Sequence, residues 1–233
     1  LGGTGAAFAF KVDPDLGVDM APVGKFFERV LHQNGDIAFA LDQYLRASDD
    51  RAFLAGEGID LLVEMARFYA GEAERDGEGG YHLNDMIGPD ELYQPNRDNG
   101  YTNLMARFTL RIARTWFGRL ERDDPAAAAP ARERLALDAG EPERWKEIAD
   151  ALVVPTVPGL DEDVPLQDEF LMDKPDADME GWMLNSGDPR QWKIPIPEVR
   201  NYRTIKQADI VLAMFLLRSE FTRAQMAAGY DFY

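Results

Sequence analysis

Apolar residues recur along most of this chain at intervals of three and four, the spacing that lines one face of a helix. Between positions 36 and 44, Ile37, Ala38, Ala40, Leu41 and Tyr44 form one such face. The stretch 59–73 is greasier. Ile59, Leu62, Val63, Ala66 and Ala70 make one stripe while Leu61, Met65, Phe68 and Tyr69 cover the other side, the pattern of a helix buried on most faces. Helix should resume near Thr102, where Asp98, Asn99 and Thr102 are able to accept from free amides at a helix start. Leu104, Met105, Phe108, Ile112 and Trp116 then follow at helical spacing towards Arg122. Pro125 and the alanines 126–129 are expected to interrupt, and Pro142 sits in the first turn of a further helix that turns Trp145, Ile148, Ala149 and Leu152 inward. The stretch 205–218 is the most apolar. Thr222 and Gln225 have capping-box spacing, and Gly229 is expected to close the short helix between them in a left-handed cap.

No comparable run alternates at strand period except 153–157, which prolines bracket or break. The expected class is therefore all-α. Long buried helices followed by shorter amphipathic ones suit either the paired inner and outer helices of a toroid or an irregular bundle. Two connections are too long for a plain bundle. Residues 81–100 hold Gly88, Pro89, Pro95 and Gly100 together with His82, Asp85, Asp90, Glu91, Tyr93 and Asp98; long polar loops of this kind are commonly functional. Residues 153–200 hold seven of the fourteen prolines plus Trp182 and Trp192, and read as an ordered wandering loop packed on the helices, or as a linker.

Charge narrows the partners. The 233 residues carry 42 Asp and Glu against 25 Lys and Arg, a formal charge of −17. No basic run offers a face to a polyphosphate backbone or an anionic bilayer, so neither nucleic acid nor membrane is an expected partner. Cysteine is absent and there are only two histidines, His32 and His82, which excludes disulfides, thiolate chemistry and a His-rich metal site. The longest apolar run, 210–217, is far too short to span a bilayer, and no targeting segment follows Leu1, so a cytoplasmic protein is expected.

Among the polar residues, Glu91 follows Gly88, Pro89 and Asp90 on a stiff turn with tyrosines nearby, a plausible general acid for glycosidic cleavage. Such an acid must keep its proton near neutral pH, which burial or a negative neighbour such as Asp90 would favour. The alternative is a solvated turn whose aspartate caps a helix. Aromatic side chains among acidic loops suit sugar rings, whose C–H faces stack while hydroxyls bind polar groups. A calcium site from Asp85, Asp90, Glu91 and Asp98 is the competing use, without EF-hand spacing. Lys206 and Gln207 stand where the most apolar helix begins. Either they donate to substrate hydroxyls at a pocket rim, or Lys206 pairs with Asp209 or an acidic loop.

These residues resemble a family. Gly88-Pro-Asp-Glu91, then Asp98-Asn-Gly-Tyr-Thr-Asn103, is similar to the GPDE and NNAYTN blocks of the family 65 glycoside hydrolases and phosphorylases. His32-Gln-Asn-Gly-Asp-Ile-Ala-Phe-Ala40 resembles H-I-N-A-D-I-A-Y-A, and Glu64-Met-Ala-Arg-Phe68 resembles E-T-A-R-F. Gln167-Asp-Glu-Phe-Leu171 resembles Q-x-E-G-F-L one residue short, Ile205-Lys-Gln-Ala-Asp-Ile-Val-Leu-Ala213 resembles I-K-Q-A-D-V-V-L-A, and Tyr230-Asp-Phe-Tyr233 resembles the end of N-Y-D-F-Y.

The resemblance implies that residues 1–233 are a single partial catalytic domain of (α/α)6 barrel type. It makes Glu91 the catalytic general acid and Lys206 and Gln207 the substrate-binding pair on the transferred glucosyl unit. The implied reaction is inverting phosphorolysis of an α-glucosidic disaccharide, with inorganic phosphate as co-substrate, no organic cofactor and no metal, and β-glucose 1-phosphate as product. An inverting α-glucoside hydrolase on the same scaffold, or an inactive sugar-binding helical piece, are the alternatives. Family members are often homodimers, so a homodimer is the assembly to look for. Departures from the family pattern are Phe10 in place of a tryptophan, Leu92 and Tyr93 after the GPDE block, and the lack within the chain of the family's W-D-x-E and H-D-S-S-L-S blocks.

Overall fold

The computed structural model describes residues 5–9, 15, 29–90, 97–169, 171–178 and 201–233. Its framework is all-α, as the periodicity requires. The helices are α1 (His32–Ser48), α2 (Arg51–Phe53), α3 (Ile59–Glu72), α4 (Gly100–Asp123), α5 (Pro125–Arg134), α6 (Glu141–Ala151), α7 (Asp209–Leu216) and α8 (Arg223–Phe232). The 24-residue α4 is the spine, touching α1, α3, α5, α6 and α7. One apolar cluster fills the space between α1, α3, α4, α5 and α6, with Trp145, Tyr69, Phe117 and Met65 fully buried. A second joins the first turns of α4 to α7, α8 and the segment around Val157, Val164 and Leu166.

Close approach in this core depends on small residues. A Cβ added to Gly35 of α1 would lie 2.5 Å from the Met105 Cβ of α4. The start of α1 has no side-chain cap of its own, and Tyr69 of α3 substitutes. Its hydroxyl accepts from the Gly35 amide at 2.9 Å and donates to the Leu31 carbonyl at 2.7 Å. Burial pushes the Tyr69 phenol well above its ordinary pKa, so it stays a donor.

The expected helices therefore form, with four differences. The alanines after Pro125 build helix α5, because Pro125 occupies a first-turn position, the Asp124 side chain accepts from the Ala127 amide at 3.0 Å, and alanine has the highest helix propensity. The most apolar helix starts at Asp209 instead of 205, because Ala208 takes a non-helical conformation with φ −82° and ψ 75°. The capping box of Thr222 and Gln225 is made, but Gly229 lies inside α8 rather than at its cap: a Cβ there would meet the Met214 Sδ at 2.7 Å. A short hairpin, β1 (Glu74–Arg75) with β2 (Tyr81–His82), has no counterpart in the pattern. Its turn is organised by Asp76, whose Oδ1 accepts from the amides of Glu78, Gly79 and Gly80 at 2.7–2.8 Å, while Gly79 takes a φ of +99°.

Toward the C-terminal edge the described surface is more apolar. Phe215 and Tyr230 are each 75% exposed and Leu212 44% exposed, on α7 and α8. Among the described residues no helix is long and apolar enough to cross a membrane.

Candidate active site

Three helix N-termini come together at one end of the framework. The Tyr101 hydroxyl of α4 donates to the Asp36 Oδ1 of α1 at 2.6 Å, His32 Nδ1 lies 3.0 Å from Asp36 Oδ2, and the His32 ring stands edge-on to Tyr101. α4 meets α7 through Gly100, where an added Cβ would reach Ile210 Cδ1 at 2.8 Å and the Leu166 carbonyl at 2.3 Å. Helix N-termini favour negative charge, and Asp36 and Asp209 supply it here. Burial first, and then Asp36, raise the Tyr101 phenol well above its usual range.

The GPDE turn is docked on this cluster through Asp90, which is 3% exposed. Its Oδ2 accepts from the backbone amides of Lys206 at 2.7 Å and Gln207 at 3.3 Å, and from Gln167 Nε2 at 3.3 Å. Its own amide donates to Asp209 Oδ2 at 2.8 Å, and Gln207 Nε2 donates to the Pro89 carbonyl at 2.7 Å. Gln167 closes the ring, its Oε1 accepting from the Asp209 amide at 3.0 Å. Gly88 admits the turn because a Cβ would lie 2.4 Å from Asn99 Nδ2, and Asn99 in turn caps α4 and donates to the Gln167 carbonyl at 2.8 Å. The Asp90 carboxylate, expected to act as a negative neighbour of Glu91, is thus engaged by these amides.

Asp209 belongs to the same ring of bonds. Burial, with the nearby charges of Asp90 and Asp36, outweighs the Asp90 amide and the Lys206 charge and pushes its carboxyl up to about 7. Lys206 therefore acts on Asp209 through its field, while the side chains of both Lys206 and Gln207 are exposed.

At the far end of the loop Asp98 is 1% exposed with a φ of +50°, a left-handed conformation that aspartate tolerates. Its amide donates to the Leu83 carbonyl at 2.9 Å. Oδ1 accepts from Asn103 Nδ2 at 2.9 Å and the Leu83 amide at 3.3 Å. Oδ2 lies 2.5 Å from His82 Nδ1 and 3.4 Å from Arg97 Nε.

The structure thus unites Lys206 and Gln207 with Asp90. Glu91 itself lies outside the described residues, as do Leu92, Tyr93, Pro95, Phe10, Trp182 and Trp192. Of the residues in the competing calcium reading, Asp90 faces amides and Asp98 faces His82, while Glu91 lies outside the described residues. Sequence reasoning missed the scaffold formed by Gln167, Asp209, Asp36 and Tyr101. All four fall inside the recognised blocks, so their position beside Lys206 and Gln207 was the available signal. Two hollows lined by described residues lie elsewhere. One is at the opposite end of α1 and α4, around Leu45, Asp50, Trp116 and Leu120, and the other is beside Glu64, Arg67, Glu141 and Trp145.

Polar loops at one end of this all-α framework gather the Gly88–Asp90 turn with Lys206 and Gln207. The sequence model of the glycosyl hydrolase family 65 central catalytic domain matches residues 21–233, and the chain belongs to that family. It is 29% identical over 205 residues to the kojibiose phosphorylase of Caldanaerobacter subterraneus, a match covering 87% of this chain and 26% of that protein. It is 30% identical over 210 residues to the alpha,alpha-trehalose phosphorylase of Thermoanaerobacter brockii, covering 87% and 26%, and 30% identical over 204 residues to the kojibiose phosphorylase of Escherichia coli, covering 87% and 25%. A solved structure from the human microbiome, provisionally named a kojibiose phosphorylase, superposes with a TM-score of 0.72 at 21% identity over 86% of this chain and 29% of that one; the likeness shows the α/α-barrel fold. The chain spans about a quarter of the length of these curated relatives.

Proposed function

We propose that this chain is part of the catalytic domain of an inverting disaccharide phosphorylase, with Glu91 as general acid and Lys206 and Gln207 as the pair that binds the transferred glucosyl unit. The observation that carries the reading is the Asp90 dock. The residue immediately before Glu91 has its carboxylate on the amides of Lys206 and Gln207, which fixes the backbone that leads into Glu91 against the segment carrying the binding pair. The relatives named as kojibiose and trehalose phosphorylases support the substrate class, an α-glucosidic disaccharide.

In this scheme Glu91 gives its proton to the departing glycosidic oxygen as the C1–O bond breaks. A phosphate oxygen forms the new bond to C1 from the opposite face, which inverts the anomeric centre and yields β-glucose 1-phosphate. The carboxylate left behind is reprotonated before the next cycle. Residues 1–233 act here as one domain, and phosphate is the only co-substrate the scheme requires.

The test uses the complete protein with a panel of α-glucosyl disaccharides and inorganic phosphate, following glucose 1-phosphate and free glucose. Glu91→Gln should lower turnover by about a thousandfold without unfolding the protein. Full turnover in that variant defeats the assignment, and glucose release without phosphate assigns hydrolysis instead.

A further inference from the structure

Gln167 is 2% exposed, and its main-chain and side-chain polar groups are all engaged. Its amide donates to the Tyr233 hydroxyl at 2.8 Å, and that hydroxyl donates to the Pro165 carbonyl at 2.9 Å. Its carbonyl accepts from the Gly100 amide at 3.1 Å and from Asn99 Nδ2 at 2.8 Å, at the start of α4. The backbone of Gln167 is thereby seated on α4 and on the residue that follows α8, while its side chain reaches across to the segment that carries Lys206 and Gln207.

That segment turns a corner before α7. Ala208, with φ −82° and ψ 75°, is the centre of an inverse γ-turn in which the Asp209 amide donates to the Gln207 carbonyl at 3.0 Å. Gln167 Oε1 accepts from the same Asp209 amide at 3.0 Å, Gln167 Nε2 donates to Asp90 Oδ2 at 3.3 Å, and Asp209 Oδ2 accepts from the Asp90 amide at 2.8 Å. Asp90, Gln167 and Asp209 therefore close a ring of bonds drawn from three distant parts of the chain. The Asp209 amide and Asp90 Oδ2 both have other partners, so the Gln167 side chain fills no orphaned group; what it adds is a tie across the corner. An amide suits this place because it meets a donor on one side and a carboxylate on the other. A carboxylate here would set like against like at Asp90, and a thioether would bond neither neighbour well.

We infer that Gln167 is a positioning residue for the sugar-binding pair: its side-chain amide braces the Ala208 corner against Asp90 and so fixes where the main chain presents Lys206 and Gln207. The inference rests on the proposed role of that pair and is independent of Glu91. The brace reaches residues 206 and 207 directly, because their amides lie on the same Asp90 oxygen that Gln167 holds, at 2.7 and 3.3 Å. The charged and titratable groups facing the ring are Asp90 and Asp209 within it, Lys206 and Asp36 around Asp209, and the phenols of Tyr101 and Tyr233, both held above their usual range by burial first. Asp209, pushed up to about 7, titrates in the parent as well, so each variant is read as a ratio to the parent at the same pH.

The test is calorimetric titration of the complete protein with whichever of kojibiose and trehalose it turns over faster. Gln167→Glu keeps the shape and the acceptor for the Asp209 amide but sets a second carboxylate against Asp90. Its affinity relative to the parent should be down about tenfold at pH 8 and recover to within about threefold at pH 5.5, where the two carboxyls share a proton and one again donates to the other. Gln167→Met removes both bonds without adding charge and should be down about tenfold at both pH values. Circular dichroism at each pH establishes that the variants are folded, and the Met variant decides alone if the Glu variant unfolds at pH 8. Parent-like affinity in folded Gln167→Met, or a loss in folded Gln167→Glu that does not respond to pH, overturns the brace; a side chain with a merely structural role would lower the thermal midpoint and leave affinity unchanged. Parent-like affinity in Lys206→Ala overturns the binding-pair reading instead, whatever the Gln167 variants do.

Discussion

Asp90 and Asp98 flank the same short stretch of sequence and are both almost fully buried, yet each is itself held by different means. Asp90 is gripped mainly by main-chain amides of the segment entering α7, donors that do not titrate. Asp98 is gripped by an imidazole and shared with a guanidinium, partners whose charge decides the bond. A carboxylate on peptide N–H groups is a fixed anchor, whereas a carboxylate on histidine is an anchor with a proton in it. Asp90 is therefore seated by backbone geometry and Asp98 by partners that carry charge.

The largest effect should come from breaking the fixed anchor. Asp90→Ala removes the acceptor for three donors and frees the residue before Glu91. In the complete protein, turnover of α-glucosyl disaccharides should fall about a hundredfold, together with a loss of about 2–3 kcal/mol in urea-measured stability from the stranded amides. Retained turnover would show that the dock does not position the acid. Next comes Gly100→Ala, which sets a Cβ 2.3 Å from the Leu166 carbonyl behind the dock. Since backbone cannot swing aside as a side chain does, the variant should lose about 2 kcal/mol in the same measurement, and a neutral result would mean that the 166–167 segment is not rigidly seated.

The smallest effect isolates Asp209 on the Asp90 side. Asp209 has its carboxyl raised from 3.8 to about 7, burial being the leading cause, so the proton is bound more tightly in the folded state. The stability this lends is complete below 3.8 and declines as pH climbs to about 7. Asp209→Asn keeps an acceptor for the Asp90 amide and removes the buried charge. It should flatten the decline and gain about 1 kcal/mol at pH 8, read as a thermal midpoint raised by about 3 °C. An unchanged pH dependence would show that another group carries it.

Much of this was legible in the sequence. Period-3.6 patterning located the buried helices α3, α4 and α6, whose apolar stripes dominate local noise, whereas in α1 it found the helix but not its face: Asn34, Gly35, Ala38, Asp42 and Leu45 are buried while Ala40 and Tyr44 of the expected stripe are exposed. Pro125 misled because a proline ahead of an alanine run reads as a break, whereas in a first turn capped by Asp124 it starts a helix, one that runs on through Pro130. Gly229 misled for a related reason: its role is to admit Met214 across the α7–α8 contact, which no local rule reports. The β1–β2 hairpin rests on a single aspartate bonding three amides, too small a feature for any periodicity. At the site, Lys206 and Gln207 were legible as residues, but their main-chain amides do the docking, and amides carry no sequence signature. The coupling of His82 to Asp98 spans sixteen residues of loop and becomes visible only when the chain is folded.

The phenol of Tyr69 that completes the start of α1 has one further consequence. The amide of Gly35 is bonded to a side chain on another helix instead of to a carbonyl of its own, so end-fraying of α1 alone does not release it. Its deuterium uptake would therefore clock the parting of α1 from α3, a single-site gauge of how cooperatively the two helices come apart.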